Sequence, residues 1–260
     1  MSVYIIAEIG SGHGGSLDKA KQLIEIAAKS GANAVKFQLF RASSLAERRG
    51  LTLQQVAPMK PLELPEIWLP ELKARSSELN LDFMCTAFDI WGLQRVAEYV
   101  QYFKIASFEM SDPILLQAHG DYEQSVILST GMATRAEVIE AASNIEHLQA
   151  ALHCTTAYPA PIDEINLRAM ADMGVNCDIG LSDHSGSPLT GAVATALGAR
   201  WLEVHLRAFE GNSPDDGLHA LMPDAFAQMV EHVRQAELML GSGSKGIQHS
   251  EVANVGFRVG

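Results

Sequence analysis

Eight short apolar runs, separated by helix-forming stretches, limit what this chain can fold into. They are VYIIAEI (3–9), AVKFQLF (34–40), DFMCTAF (82–88), YFKIAS (102–107), SVILST (125–130), AALHCTT (150–156), NCDIGLS (176–182) and RWLEVHL (200–206). Each is rich in β-branched, aromatic or aliphatic residues, as strands covered on both faces are. Between them, SLDKAKQLIEIAAKSG offers Ser16 as an N-cap and Gly31 as a stop. TRAEVIEAASNIEHL pairs Thr134 with Glu137 in the spacing of a capping box. PDAFAQMVEHVRQAELML carries Pro223 near its start. The alternation predicts an α/β chain folded as a single-domain (β/α)8 TIM barrel. Its expected extent is residues 1–240, with 241–260 as a C-terminal tail or truncated linker. An open doubly wound sheet is the alternative, but no GxGxxG follows a strand to support a dinucleotide fold.

The longest gap between strands, residues 41–81, holds ERR, then Pro58, Pro61 and Pro65, and one helix pattern near 66–79. Its first half is expected as an extended loop over the barrel mouth. With 47% hydrophobic residues in 260, a sizeable core can be buried. The net charge of −12 argues against nucleic acid as a partner, though a few local cations can still hold a phosphate. No apolar run is long enough to span a membrane, and MSVYIIAEIG lacks the basic start of a secretory signal. Cys85, Cys154 and Cys177 show no CxxC spacing, which fits a reducing compartment. The expected location is cytoplasmic.

In such a barrel the site forms at the C-terminal ends of the strands, and there the polar residues gather. Strand by strand they are Glu8; Lys36 and Gln38; Thr86 and Asp89; Lys104, Ser107 and Glu109; Ser129 and Thr130; His153, Thr155, Thr156 and Tyr158; Ser182, Asp183 and His184; Glu203 and His205. Inward charges are costly unless paired or in use. Singly, Lys104 reads as a salt-bridge partner of Glu8 or Glu109, Asp183 as a helix cap, His13 as a loop residue and His205 as a core histidine. Together, Lys36 and Lys104 with the hydroxyls of strands three to five read as an anion site. His184 and His205 end adjacent strands one β/α unit apart. Two neutral imidazoles with water or carboxylate suit Mn, Fe or Zn.

As a set, AEIGSGHGG, AVKFQ, FKIASFEMSDPILL, VILSTGMAT, LHCTTAYPAP, GLSDHSG and GARWLEVHL resemble the sialic acid synthase family, the N-acetylneuraminate synthases, in order and over about residues 3 to 235. The resemblance implies a transferase that condenses phosphoenolpyruvate with the open-chain aldehyde of an N-acetylated hexose, giving a 2-keto acid and phosphate with a divalent metal, Mn or Mg. It implies His184 and His205 as metal ligands. It puts Lys36, Lys104, Thr86, Ser107, Ser129, Ser182 and Tyr158 around phosphoenolpyruvate, and Glu8 and Gln38 toward the acceptor sugar. Glu109 falls near the reacting carbons. Asp215, or Asp216 by a one-residue slip, resembles a family aspartate on the aldehyde side.

The chemistry suits these groups. A donor with up to three negative charges needs cations and hydroxyls. The aldehyde needs a Lewis acid. A water that traps the cationic C2 needs a base, expected as Glu109, with Glu8 second. Departures cluster on the acceptor side: Gly12 stands where the family has Asn, and Phe108 where it has Gly. The donor is therefore expected to be retained and the acceptor to differ from N-acetylmannosamine. The family's C-terminal antifreeze-like domain has no counterpart before Gly260. That leaves a truncated chain or a barrel-only member, and a homodimer or a separate C-terminal-domain chain as partner. The rival readings are a keto acid synthase acting on a phosphorylated aldose, for which only 41–49 offers cations; a glycosidase using Glu8 and Glu109; and a barrel that binds without turnover.

Overall fold

In the computed structural model, which describes residues 2–209, 215 and 217–259, all eight apolar runs are strands: β1 (Tyr4–Gly10), β2 (Ala34–Leu39), β3 (Asp82–Ala87), β4 (Phe103–Ile105), β5 (Val126–Ser129), β6 (Leu148–Cys154), β7 (Asp178–Asp183) and β8 (Trp201–His205). They pair in parallel in chain order, and β8 closes on β1 with Glu8 opposite His205. The closed (β/α)8 barrel excludes the open sheet. Among the described residues, no helix is long and apolar enough to cross a membrane.

The period of two along a strand decides what fills the barrel. Ile6, Ala34, Met84, Ile127, Ala150, Leu152 and Trp201 form one buried cluster on its floor. Two residues further along the same faces stand Glu8, Lys36, Thr86, Ser129, Cys154 and Glu203, all buried. The alternate set, including Ile5, Val35, Phe83 and Leu202, packs outward against the helices. The apolar floor thus supports a polar layer.

The helices are α1 (Leu17–Lys29), α2 (Ala42–Arg49), α3 (Leu53–Val56), α4 (Leu69–Glu78), α5 (Ile90–Val96), α6 (Pro113–Ala118), α7 (Arg135–Ser143), α8 (Thr190–Ala196) and α9 (Pro223–Leu240). Ser16 caps α1 through the Lys19 amide, Thr134 and Glu137 form the capping box of α7, and Pro223 opens α9.

Three connections differ from expectation. The first half of 41–81 is not extended. ASSLAERR is made of good helix formers, buries Ala42, Leu45 and Ala46, and ends at Gly50 in the left-handed region, φ 63°. Pro58 and Pro61 then fall in a 3-10 turn, Ala57–Leu62. Between β6 and β7 the prolines of YPAPI leave only 3-10 turns, Ile162–Glu164 and Leu167–Asp172. Residues 241–260, expected as a tail or truncated linker, carry an exposed 3-10 helix, His249–Phe257, with Gln248 and Glu251 as its capping box.

The turn after β1 buries His13 completely. Its Nδ1 accepts the Gly15 amide at 3.0 Å, and its ring meets Trp68 edge-on at 5.8 Å. His13 is thus a structural residue of the turn. Burial, only partly opposed by Asp215, pulls its pKa down to about 4. The unfolded chain takes up a proton at His13 near pH 6.5 while the folded one does not, so stability falls as the pH drops from 6.5 toward 4. This one ring should cost about 2 kcal/mol of stability between pH 7 and pH 5. Urea titrations at the two pH values should show His13→Gln losing less stability on acidification than the parent by that amount. An equal loss in both would show that His13 is not held neutral.

Candidate functional site

A cavity of about 330 Å³ opens over the polar layer, at the C-terminal ends of the strands. Lys36 and Lys104 form its cationic wall. Lys36 Nζ lies 2.8 Å from Glu8 Oε2 and donates to Thr86 Oγ1 at 3.0 Å. Lys104 Nζ donates to Ser129 Oγ at 2.7 Å and to the Ile105 carbonyl at 3.0 Å. Glu203 sits between the two ammoniums, with Oε1 at 3.7 Å from Lys36 and 3.6 Å from Lys104, and accepts from Ser182 Oγ at 3.3 Å. The partner of Lys104 is therefore Glu203, and neither Glu8 nor Glu109, the partners the sequence suggested. Register explains this: Glu203 lies across from Ser182 on β7 and points into the barrel from β8.

Two buried carboxyls, Glu8 and Glu203, with the part-buried Asp215 beside them, face two ammoniums, so one carboxyl is under pressure to keep its proton. Burial, reinforced by Glu203 and Asp215 and opposed by Lys36, pushes Glu8 up to about 7. Burial also opposes the charge on Glu203, but Lys104 and Lys36 outweigh it and hold Glu203 below its ordinary value. For Lys36, burial is outweighed by Glu203 and Glu8, and the ammonium is pushed up to about 12. Burial wins at Lys104, which is lowered. Gln38 Nε2 donates to Glu8 Oε1 at 2.7 Å and holds that carboxyl in place.

Of the residues expected around a substrate, Glu8, Lys36, Gln38, Lys104, Ser107 and Ser129 line the cavity, as do Tyr158, Ser182, His184, His205 and Asp215. Thr86 stands behind Lys36. Glu109 does not reach the cavity wall. It lies in the single 3-10 turn after β4, Ser107–Glu109, and its Oε1 accepts from Arg49 of α2 at 2.6 Å. Burial raises its pKa, and Arg49 opposes that. The Arg49 guanidinium also lies over the Phe108 ring, 4.7 Å from its centroid. Ser107 Oγ accepts the Gly131 amide at 2.9 Å, joining the ends of β4 and β5.

The opposite wall is built of imidazoles. His184 and His205 lie 5.4 Å apart between centroids, edge to face. The Nδ1–H of His184 donates to the Thr155 carbonyl at 3.0 Å, which leaves its Nε2 lone pair free to bind. His205 is fully buried; burial, then the nearby His184 and His219, hold it well below the ordinary histidine range. Its Nδ1 is 3.6 Å from Asp215 Oδ1. Tyr158 stacks over His184 at 4.2 Å. Asp215 accepts the Ser11 amide at 2.7 Å and also the Ser11 hydroxyl. Its approach requires glycine at position 10, where φ is 53° and a Cβ would stand 2.5 Å from the Asp215 carboxyl. Asp216 lies outside the described residues. Asp183 takes no part in this wall: its oxygens accept from the Ser185 amide and hydroxyl, and it serves the turn before α8. Asp89 caps α5 and pairs with Arg41.

His219, in the loop before α9, had no place in the sequence reading; its ring lies 4.7 Å from that of His205. The two-residue spacing of Glu203 from His205 in EVH puts both side chains on the inward face of β8 and is the sequence signal for the role of Glu203. Arg49 was only one of three loop cations, and nothing local in the sequence marks the turn that brings it to Glu109.

Comparison with known proteins agrees with the fold. The NeuB family profile matches residues 23–245. The N,N'-diacetyllegionaminic acid synthase of Campylobacter jejuni is 36% identical, over 96% of this chain and 81% of its own length. The pseudaminic acid synthase of the same species is 30% identical, over 97% of this chain and 79% of its own length. The crystal structure of an N-acetylneuraminic acid synthetase from Leptospira borgpetersenii, in complex with citrate, superposes with a TM-score of 0.91 at 33% identity, covering 99% of this chain and 92% of that one.

Proposed function

The chain belongs to the NeuB family, and from that premise we propose that it is a transferase joining phosphoenolpyruvate to an N-acylated aldose, giving a 2-keto acid and phosphate. The observation that carries this reading is one cavity with two buried lysines on one wall and paired histidines on the other. Phosphoenolpyruvate would lie against Lys36, Lys104, Ser107, Ser129 and Ser182, which supply the charge and hydroxyls that its carboxylate and phosphate require.

The aldehyde would face the imidazole wall. A divalent metal held by His184 and His205 would supply Lewis-acid polarisation there. These residues fit such an ion: both are buried, and His205 Nδ1 has no hydrogen-bond partner among the described residues. In the reaction, C3 of phosphoenolpyruvate bonds to the aldehyde carbon as the C2–C3 and carbonyl π bonds break. Water adds to C2, and one of its protons passes by way of a carboxylate to the former aldehyde oxygen. The C2–O bond to phosphate then breaks, the C2 hydroxyl gives up its proton to the phosphate, and C2 becomes the keto carbon.

Glu8 is the carboxyl placed for that proton, since it lines the cavity, whereas Glu109 does not line it and is paired with Arg49. A base near 7 must be deprotonated to act, so kcat/KM should rise with pH through about 7. Glu8→Gln should lower kcat by about 10²–10⁴-fold and remove that limb of the pH profile. Loss of the limb in Glu109→Gln and its retention in Glu8→Gln would return the role to Glu109.

The acceptor side is apolar: Phe40, Leu45, Met59, Leu62, Phe88 and Phe108 line it. That lining suits acyl methyl groups, and the doubly N-acetylated product named for the Campylobacter relative is of this kind. A phosphorylated aldose fits less well, because Arg41, Arg48 and Arg49 are already paired with Asp89, Asp112 and Glu109. Phosphate release should be measured with phosphoenolpyruvate, a divalent metal and a panel of aldoses. The expected best acceptor is a diacetamido aldose. Faster release with N-acetylmannosamine would refute the changed acceptor, and the absence of release with every aldose tried, despite donor binding, would refute turnover.

A further inference from the structure

His219 is an imidazole for which the reaction above has no use. It is 2% exposed, and its Nε2 has no hydrogen-bond partner among the described residues. A buried imidazole serving only the core would be expected to satisfy that nitrogen. Instead the ring faces the imidazole wall, 4.7 Å from His205, 6.5 Å from His184 and 5.0 Å from Tyr158 between centroids. One donor atom each from His205, Asp215 and His219 lies within 4.8 Å of the others.

The loop that delivers His219 is held on both sides. The Leu221 amide donates to the His205 carbonyl at 2.8 Å, and the Arg207 amide to the Leu221 carbonyl at 3.0 Å. On the other side it lies against the turn that carries His184. Gly186 there has φ 69°, and a Cβ on it would stand 2.1 Å from the Leu218 carbonyl oxygen. The two turns carrying His184 and His219 are therefore in backbone contact, and a larger residue at 186 would push them apart.

We propose that His219 is a third imidazole ligand of the divalent metal at His184 and His205, with Asp215 as the carboxylate of the set. This rests on the reading of that wall as a metal site. A donor set of three nitrogens and one carboxylate favours cobalt, nickel, copper or zinc over manganese and magnesium, which prefer oxygen. The metal preference therefore departs from the Mn or Mg that family resemblance implies.

The test uses metal-free full-length protein without substrate. With Cu²⁺ as the probe, the nitrogen hyperfine pattern of the parent should show three imidazoles; two would overturn the assignment. Titration with Co²⁺ should show His219→Gln binding at least about tenfold more weakly than the parent, since loss of an outer-shell group alone costs that much. His219→Asp, which returns an oxygen donor, should recover Mn²⁺ binding relative to His219→Gln. Parent-like Co²⁺ affinity and spectrum in His219→Gln, with weakened binding in His184→Gln, would overturn the role of His219 and leave the two-histidine site standing. Absence of Co²⁺ binding in the parent would overturn both.

Discussion

Lys104→Met should lower kcat/KM for phosphoenolpyruvate by roughly 30- to 5,000-fold, the cost of truncating one partner of a buried, hydrogen-bonded charge pair. The lysine is 2% exposed and donates to Ser129 Oγ at 2.7 Å, so its charge is fixed at the end of β5. Methionine keeps the unbranched stem and its packing but removes the charge and the donors. The change also leaves Glu203 with only Lys36 as a cationic lysine partner, which destabilises the fold. Lys104→Met/Glu203→Gln should therefore recover much of the thermal stability and none of the donor binding. Steady-state phosphate release and a melting curve separate the two effects. Near-normal kcat/KM in the single variant would remove Lys104 from the donor site.

His205→Ala should abolish phosphate release, by about a thousandfold or more if the metal contributes several kcal/mol of transition-state stabilisation. His184→Ala should do the same. His205 is the more telling case, because the residue lies within reach of Asp215 and His219 as well as His184. Binding of a divalent metal, read by titration calorimetry, should weaken in step with activity. Donor binding should survive, since Lys36 and Lys104 are held independently by Glu8, Ser129 and Glu203. Full activity in either alanine variant would refute the ligand assignment. Loss of both metal and donor binding would mean that the two walls do not form independently.

Much of the barrel was legible because strand and helix signals are local. Ser16, Thr134 with Glu137, and Pro223 mark helix starts by chemistry that needs only their neighbours. The loop after β2 differs from expectation because only one helix pattern, near 66–79, stood out in a long segment, whereas the helix formers of ASSLAERR and the burial of Leu45 decide its shape. That misreading mattered for the site, since α2 carries Arg49 to Glu109 and pairs it with the residue expected as the base.

The sequence by itself determined which side chain of each strand points inward, because alternation along a strand follows from covalent geometry. From that came Glu8, Lys36, Lys104, Ser129, Ser182, Glu203 and His205 as one polar layer. Only the tertiary structure decided how the layer is wired. Closure of β8 on β1 puts Glu203 between two lysines from β2 and β4. The contact of two distant turns at Gly186 brings His219 to His205. Such pairings join residues far apart along the chain, and their distances are set by register and loop packing, which no local pattern encodes.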